Sequence, residues 1–475
     1  MNKKLIHLIA IAACTIAAAA PVPVHSEPPL AADRSGAAAT ISAAGRIDRT
    51  NPFFQSLGSN GRSCASCHVQ NEGWSVTPEG LRARFRATGG TDPVFRANDG
   101  ATSPLADVST LRAREKAYSM LLSKGLFRVG MSMPANAEFE LAKVEDPYGY
   151  ASAKELSLFR RPLPSTNLRF ISAVMWDGRE TFQDPSSPLC IAASSSCFAT
   201  IPFDLQDQAN SAVLGHAQAG VPLTDSQRQQ IVDFEFGLYT AQVYDARAGW
   251  LHVAGGHGGP LQLSQQTSYF GINDTLVGDY RTGASFNPQV MELYGPWGGY
   301  LPTARVVTVA QVPKEVAAAR ASIARGEAIF NSKPIAISGV RGLNDALKIP
   351  VLQGTCTTCH NTPNAGSHSV PFPLDIGLTD ASRRTPDMPL YTLRNKLTGE
   401  VIQTTDPGRA MVTGKWQDVA RFKGPVLRAL ATRAPYFHNG SAKSLEEAVQ
   451  FYNQRFGIGF TDQERRDLVA FLAAL

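Results

Sequence analysis

Net charge, long apolar runs and cysteine are all in short supply in this 475-residue sequence, and each shortage excludes something. Forty-five lysines and arginines against 40 acidic residues leave a formal charge of only +5. Such a surplus asks neither for nucleic acid nor for a membrane surface. An apolar content of 43% with 18% charged residues is ordinary for a water-soluble chain, and the length suffices for two or three domains with real cores. The apolar stretch in MNKKLIHLIAIAACTIAAAA is too short and too Ala-rich to span a bilayer. With Lys3 and Lys4 ahead of it, residues 1–26 read as a secretory signal cleaved after Ser26. IAAC, ending at Cys14, resembles a lipidation box, but apolar residues run on for six positions past it, which disfavours a lipid anchor. The expected compartment is a bacterial periplasm.

Cysteine numbers only seven, and four of the seven sit in one pattern written twice, GRSCASCHVQ and GTCTTCHNTP. The scarcity argues against zinc, because neither motif is followed by the further cysteines or paired histidines that a zinc site wants. A single C-x-x-C could also be a redox pair. Two complete C-x-x-C-H copies in an exported chain point instead to two covalently attached haems c. Cys64 and Cys67, and again Cys356 and Cys359, would each add across the vinyl groups of one porphyrin. The adjacent His68 and His360 then sit beneath the irons as axial ligands. Cys14 leaves with the signal, so Cys190 and Cys197 remain. Flanking the small polar segment CIAASSSC in an oxidising compartment, they predict a local structural disulfide.

Periodicity gives the organisation. Residues 27–45 are rich in Pro, Ala and Ser without a repeat and read as a flexible lead. Residues 46–312 are expected to form an N-terminal haem c domain with long insertions, and 313–475 a C-terminal haem c domain. PKEVAAARASIARGEAIFNS carries apolar residues at helical spacing and leads toward the second motif. Ser444 with Glu447, and Thr461 with Glu464, predict two capping boxes in succession. Leu468, Val469, Phe471, Leu472 and Leu475 should face the second haem domain. The expected fold is mainly α, two cytochrome c-like haem domains with long loop-rich insertions.

The two motifs in this order, with MWDGRE at 175–180, FKGPVLRALATRAPYFHNGSAKSLEEAV at 422–449 and the terminal DLVAFLAAL, resemble the bacterial di-haem cytochrome c peroxidase family, which includes MauG. Residues 69–158 and 249–305 look like insertions beyond its smaller members. The resemblance implies that the N-terminal haem binds hydrogen peroxide, that the C-terminal haem relays electrons, and that Trp176 lies between them. On its own merits an indole is usually core, but the polar turn Asp177, Gly178 and Arg179 is a poor way to fill one. Arg179 is suited to pair with a haem propionate.

Two departures from the family pattern are absences. No histidine occurs between His68 and His216, where the family places a second axial histidine, so the first haem should have an open distal face. LQDQANSAVLGHAQ at 205–218 aligns with the family's distal segment and makes Gln208 and His216 the distal-pocket candidates. Gln218 stands where the family carries an acid, which leaves His216 to move a peroxide proton. No methionine stands in SLEEAVQFYN at the family's second ligand position; Tyr452 does. A phenolate favours oxidised iron, so a His360 and Tyr452 pair implies a low-potential haem. Met411 is the rival ligand, and simple packing of Tyr452 is the bland alternative. His438 is expected in the propionate region. Calcium between the domains, common in the family, stays open, because Arg433 replaces an expected threonine.

The function expected is a periplasmic peroxidase drawing electrons from a small cytochrome c or cupredoxin, or from residues of a partner protein. A MauG-like oxidase modifying a partner, a di-haem oxygenase of the rubber-cleaving type with an apolar channel, and a plain electron-transfer cytochrome are the alternatives.

Overall fold

The computed structural model describes residues 29–181, 200–298 and 312–475. The expected signal segment with Cys14, and the expected Cys190–Cys197 disulfide, lie outside the described residues. Twelve α-helices and eleven strands are found among the described residues, the strands gathered in four small sheets. Helix prevails, as expected, while the sheets went unread. None of the described helices is long and apolar enough to cross a membrane.

The segment expected to be a flexible lead is instead part of a sheet. Leu30–Ala32 pairs with Gly36–Ser42, and Gly36–Ser42 pairs antiparallel with Leu238–Asp245. Ala37, Ala38 and Ala39 are buried, and Thr40 is hydrogen-bonded through Oγ1 to Thr240 Oγ1 at 2.9 Å. Alanine side chains give no alternating hydrophobic signal of the usual kind, yet their small size lets the backbone pack closely on its neighbours.

The insertion after the first motif is also more ordered than its composition suggests. Its short helices Pro78–Thr88, Leu111–Ala117 and Ser119–Lys124 are followed by strands Phe127–Met131, Phe139–Glu145 and Leu156–Arg160. Phe139–Glu145 pairs antiparallel with Leu390–Asn395, so a strand of the first half completes a sheet of the second. Phe139, Leu156, Leu158, Tyr391, Leu393, Met411 and Trp416 form the core beneath it.

The largest core joins the chain's last helix to the helix ahead of the second motif. Lys314–Ser332 crosses Asp462–Ala473 at Gly326, where a Cβ would come within 2.0 Å of the Asp467 carbonyl oxygen. Ile323, Phe330, Leu468, Phe471 and Leu475 interlock there, as the apolar stripe predicts. Thr461 and Glu464 make the full reciprocal capping box. At Ser444 only half of the box forms: its side chain accepts from Glu447 N at 3.3 Å, while the Glu447 carboxylate accepts from Lys443 N at 2.7 Å.

Candidate active site

Each C-x-x-C-H motif winds into a single tight turn, Cys64–Ser66 or Cys356–Thr358. The turn is closed by a hydroxyl at either end, Ser63 with Ser66 and Thr355 with Thr358. The histidine amide then donates to the first cysteine's carbonyl, His68 to Cys64 at 3.0 Å and His360 to Cys356 at 3.2 Å. Both imidazoles are oriented from behind by a backbone carbonyl. His68 Nδ1 stands 3.1 Å from Trp74 O and His360 Nδ1 stands 2.7 Å from Gly366 O. With Nδ1–H held in this way, Nε2 is left on each ring as the atom that could ligate a metal. Trp74 is itself pinned, its indole N–H donating to Thr40 Oγ1 at 3.0 Å, so the early strand supports the first histidine at one remove.

Two cavities face these histidines. The first is lined by Cys67, His68, Trp176, Gln208, His216 and Glu235, together with buried cations. Gln208 lies in the helix Thr200–Gly215 and His216 immediately beyond its end, so the sequence-derived distal candidates meet on one wall. Gln218 is not on that wall; its carbonyl accepts from Ser59 Oγ at 2.8 Å. The second cavity is lined by Cys356, Cys359, His360, Tyr452, Trp176 and His438, with Leu468 and Leu472 among its apolar walls. Tyr452 reaches it from the helix Leu445–Phe456. Met411 does not line it: that side chain is packed in the separate core with Phe139 and Trp416.

Trp176 borders both cavities. Its indole N–H donates to the Arg161 carbonyl at 2.7 Å, and its own carbonyl accepts from Lys423 N at 2.9 Å. The polar turn beside it is a buried charge network. Asp177 pairs with Arg160 and Arg179, and Arg160 also grips Asp406 through Nε and Nη2 at 2.7 and 2.9 Å. Arg179 therefore pairs with Asp177 while also lining the first cavity. Gly178 holds φ +71°, and a side chain there would meet the Arg409 guanidinium at 2.7 Å. His438 stacks on Phe422, ring centres 3.9 Å apart, and its Nε2 has no hydrogen-bond partner among the described residues.

The charge of the first cavity tests whether a haem fits it. Arg161, Lys423 and Arg428 are buried on its walls, and Arg433 is partly buried there. Burial drives the Lys423 ammonium down to about 8 and the three guanidiniums down to about 10. Arg428 is 1% exposed; its Nη1 donates to Asn364 O at 3.2 Å, while its Nε and Nη2 find no partner among the described residues. A buried guanidinium with two nitrogens unmet is costly unless an anion meets it, and the two carboxylates of a porphyrin are anions of the right kind. The four thiols are free, as covalent attachment requires. Arg433 donates to the carbonyls of Val426, Ala429 and Arg428 at 3.1, 3.2 and 2.5 Å, a fixed positive charge among inward-turned oxygens.

Several residues of these cavities escaped the sequence reading. Glu235 is buried beside Cys64, and burial pushes its carboxyl up to about 8. His368 lines the second cavity and is driven down to about 3 by burial. Asp99 and Arg62 pair behind His216. Arg62, two residues ahead of Cys64, and His368, eight past His360, lie near a motif; Asp99 and Glu235 come from distant stretches and carry no local signature.

No family model matches the chain. It is 30% identical to a cytochrome-c peroxidase of Denitromonas iodatirespirans over 141 residues, which is 28% of this chain and 38% of that protein. It is 33% identical to a cytochrome-c peroxidase of Pseudomonas sp. (strain SCT) over 140 residues, 25% of this chain and 36% of the relative. A cytochrome c551 peroxidase of Pseudomonas aeruginosa is 32% identical over 121 residues, 25% of this chain and 30% of the relative. The chain thus spans about a third of the length of the curated relatives it matches. All three relatives are named as peroxidases of a cytochrome c. Over these matched stretches the chain is similar to bacterial cytochrome c peroxidases, and the matches do not single out MauG.

Proposed function

We propose that the protein is an exported, periplasmic di-haem peroxidase that reduces hydrogen peroxide beside His68. In this reading Cys64 and Cys67 hold one haem c, in the N-terminal domain, and Cys356 and Cys359 hold the other, in a domain beginning near residue 313. His68, His360 and Tyr452 would supply the protein ligands to the two irons. Bound haem would supply redox-active iron able to exchange electrons with peroxide.

The observation that carries the reading is that Gln208 and His216 share a cavity with His68. The Gln208 amide can both donate and accept, which suits it to orient peroxide. His216 takes a proton from one peroxide oxygen and returns it to the other. Trp176, on the wall of both cavities, carries charge between the sites. The Tyr452 phenolate keeps the second site at low potential, and the buried cations of the first cavity hold propionates.

Peroxide is favoured over an apolar substrate by the cleft outside the first cavity. Its described walls include Arg128, Glu155, Arg179, Glu180, Gln208 and His216, a polar approach that suits a small polar oxidant. Electrons then come from a small periplasmic cytochrome c or cupredoxin. Rapid mixing of the fully oxidised two-haem protein with one equivalent of peroxide tests the reading. A prompt spectral change supports it, and an inert protein contradicts it.

A further inference from the structure

The first cavity and the polar cleft outside it share seven residues, among them Asp99, Arg179, Gln208 and His216. His216 is the half-exposed member, its side chain 48% accessible, while Asp99 behind it is 7% accessible. His216 Nδ1 stands 2.5 Å from Asp99 Oδ2. Asp99 Oδ1 in turn stands 2.5 Å from Arg62 Nη1, and the Arg62 side chain is 2% accessible.

Arg62 is fixed on every side. Its Nε donates to Pro93 O and its Nη2 to Val94 O, both at 2.8 Å, and Nη1 donates to the His216 carbonyl at 3.2 Å. The Asn60 amide donates to that same carbonyl at 2.8 Å. The loop that carries the first cysteine pair thus holds His216 twice, once by its backbone and once through Asp99.

We propose that Asp99, braced by Arg62, is a positioning residue that sets the tautomer and aim of His216 for proton transfer in the first cavity. The proposal rests on the peroxidase reading of that cavity. A carboxylate on Nδ1 keeps the proton there and leaves the Nε2 lone pair as the acceptor. Burial raises the Asp99 carboxyl, but His216 and Arg62 outweigh it and hold it below the ordinary range, so it stays ionised as His216 becomes charged. A simple buried ion pair would need only Arg62 and Asp99; the half-exposed imidazole gains orientation from them and adds little stability in return.

The step balances as follows. One proton leaves the peroxide oxygen nearer the iron for His216 Nε2 and is then given to the far oxygen, which departs as water when the O–O bond breaks. Overall, peroxide takes two electrons from the external donor and two protons from solvent and leaves as two waters. Asp99 neither gains nor loses a proton.

The test is a double-mutant cycle in the two-haem protein, with Asp99→Asn, His216→Gln and the pair combined. Two rates are read: reaction with peroxide, and binding of cyanide to the ferric first haem. Hydrogen cyanide must also surrender a proton on binding, but it has no O–O bond to break. Each single variant should slow both rates on the order of 10²-fold. The combined variant should be no slower than His216→Gln alone, because Asp99 acts through His216. Unchanged rates in Asp99→Asn overturn the proposal, as does a further slowing by Asp99→Asn when His216→Gln is already present. Should Asp99→Asn fail to retain both haems, Asp99→Glu carries the same cycle. It keeps the charge but moves the oxygen by a methylene, so it should slow both rates only when His216 is present. If cyanide binding shows the coupling while peroxide is not consumed, the peroxidase reading fails and the positioning role stands.

Discussion

The indole of Trp176 stands edge-on to the imidazole of His438, ring centres 6.1 Å apart, at the place where the two histidine-bearing cavities meet. Burial drives His438 down to about 4, so it is a neutral ring at physiological pH. An oxidisable indole is thus held between the sites by a fixed hydrogen bond to Arg161.

Trp176→Phe keeps most of the packing and removes the oxidisable ring. Peroxide should still change the spectrum of the first haem, while the second haem no longer responds within the same mixing time. The lost indole bond should lower stability by only about 1 kcal/mol. A normal response of both haems in this variant, followed by rapid-scan absorption, would sink the relay role.

Tyr452→Met replaces a phenol on the wall of the second cavity with a thioether. The C-terminal haem should take up His and Met ligation, and its potential should rise by on the order of a few hundred millivolts. Spectroelectrochemical titration reads this directly. An unchanged potential and spectrum would show that Tyr452 only packs in its helix.

The network under Trp176 makes an acid-stability prediction. Burial alone would raise the Asp177 carboxyl, but Arg160 and Arg179 outweigh it and hold it at about 2, below the unfolded value of about 3.9. A depressed carboxyl contributes stability that is complete above the unfolded value and is lost as pH falls toward the folded one. Asp177→Asn should therefore cost roughly 1.5–3 kcal/mol at neutral pH, the scale of a charged hydrogen bond. The difference from wild type should shrink between pH 4 and 2 in thermal melts. A difference independent of pH would assign the loss to packing.

How much of this was legible follows from range along the chain. Cys64, Cys67 and His68 announce themselves because their chemistry demands adjacency, and so do Cys356, Cys359 and His360. The helices Lys314–Ser332 and Asp462–Ala473 were readable from their apolar stripes, with the Thr461 box marking where the second begins. The strand Gly36–Ser42 was not, because its three buried alanines give no contrast, and its partner lies some two hundred residues away. Asp99 was invisible for the same reason, since nothing in the run Asn98–Asp99–Gly100 says that it will face His216. Met411 looked like a ligand from composition, and only the packing of its neighbours Phe139 and Trp416 shows it to be core.

The central claim is that the site beside His68 is open to peroxide before any electron is supplied. Stopped-flow mixing of the fully ferric two-haem protein with one equivalent of hydrogen peroxide tests it most directly. The account predicts an immediate change in the Soret and visible bands, complete without reductant, from a resting protein whose electron paramagnetic resonance shows one high-spin and one low-spin haem. A resting protein with two low-spin haems, unreactive until it is half-reduced, would contradict it.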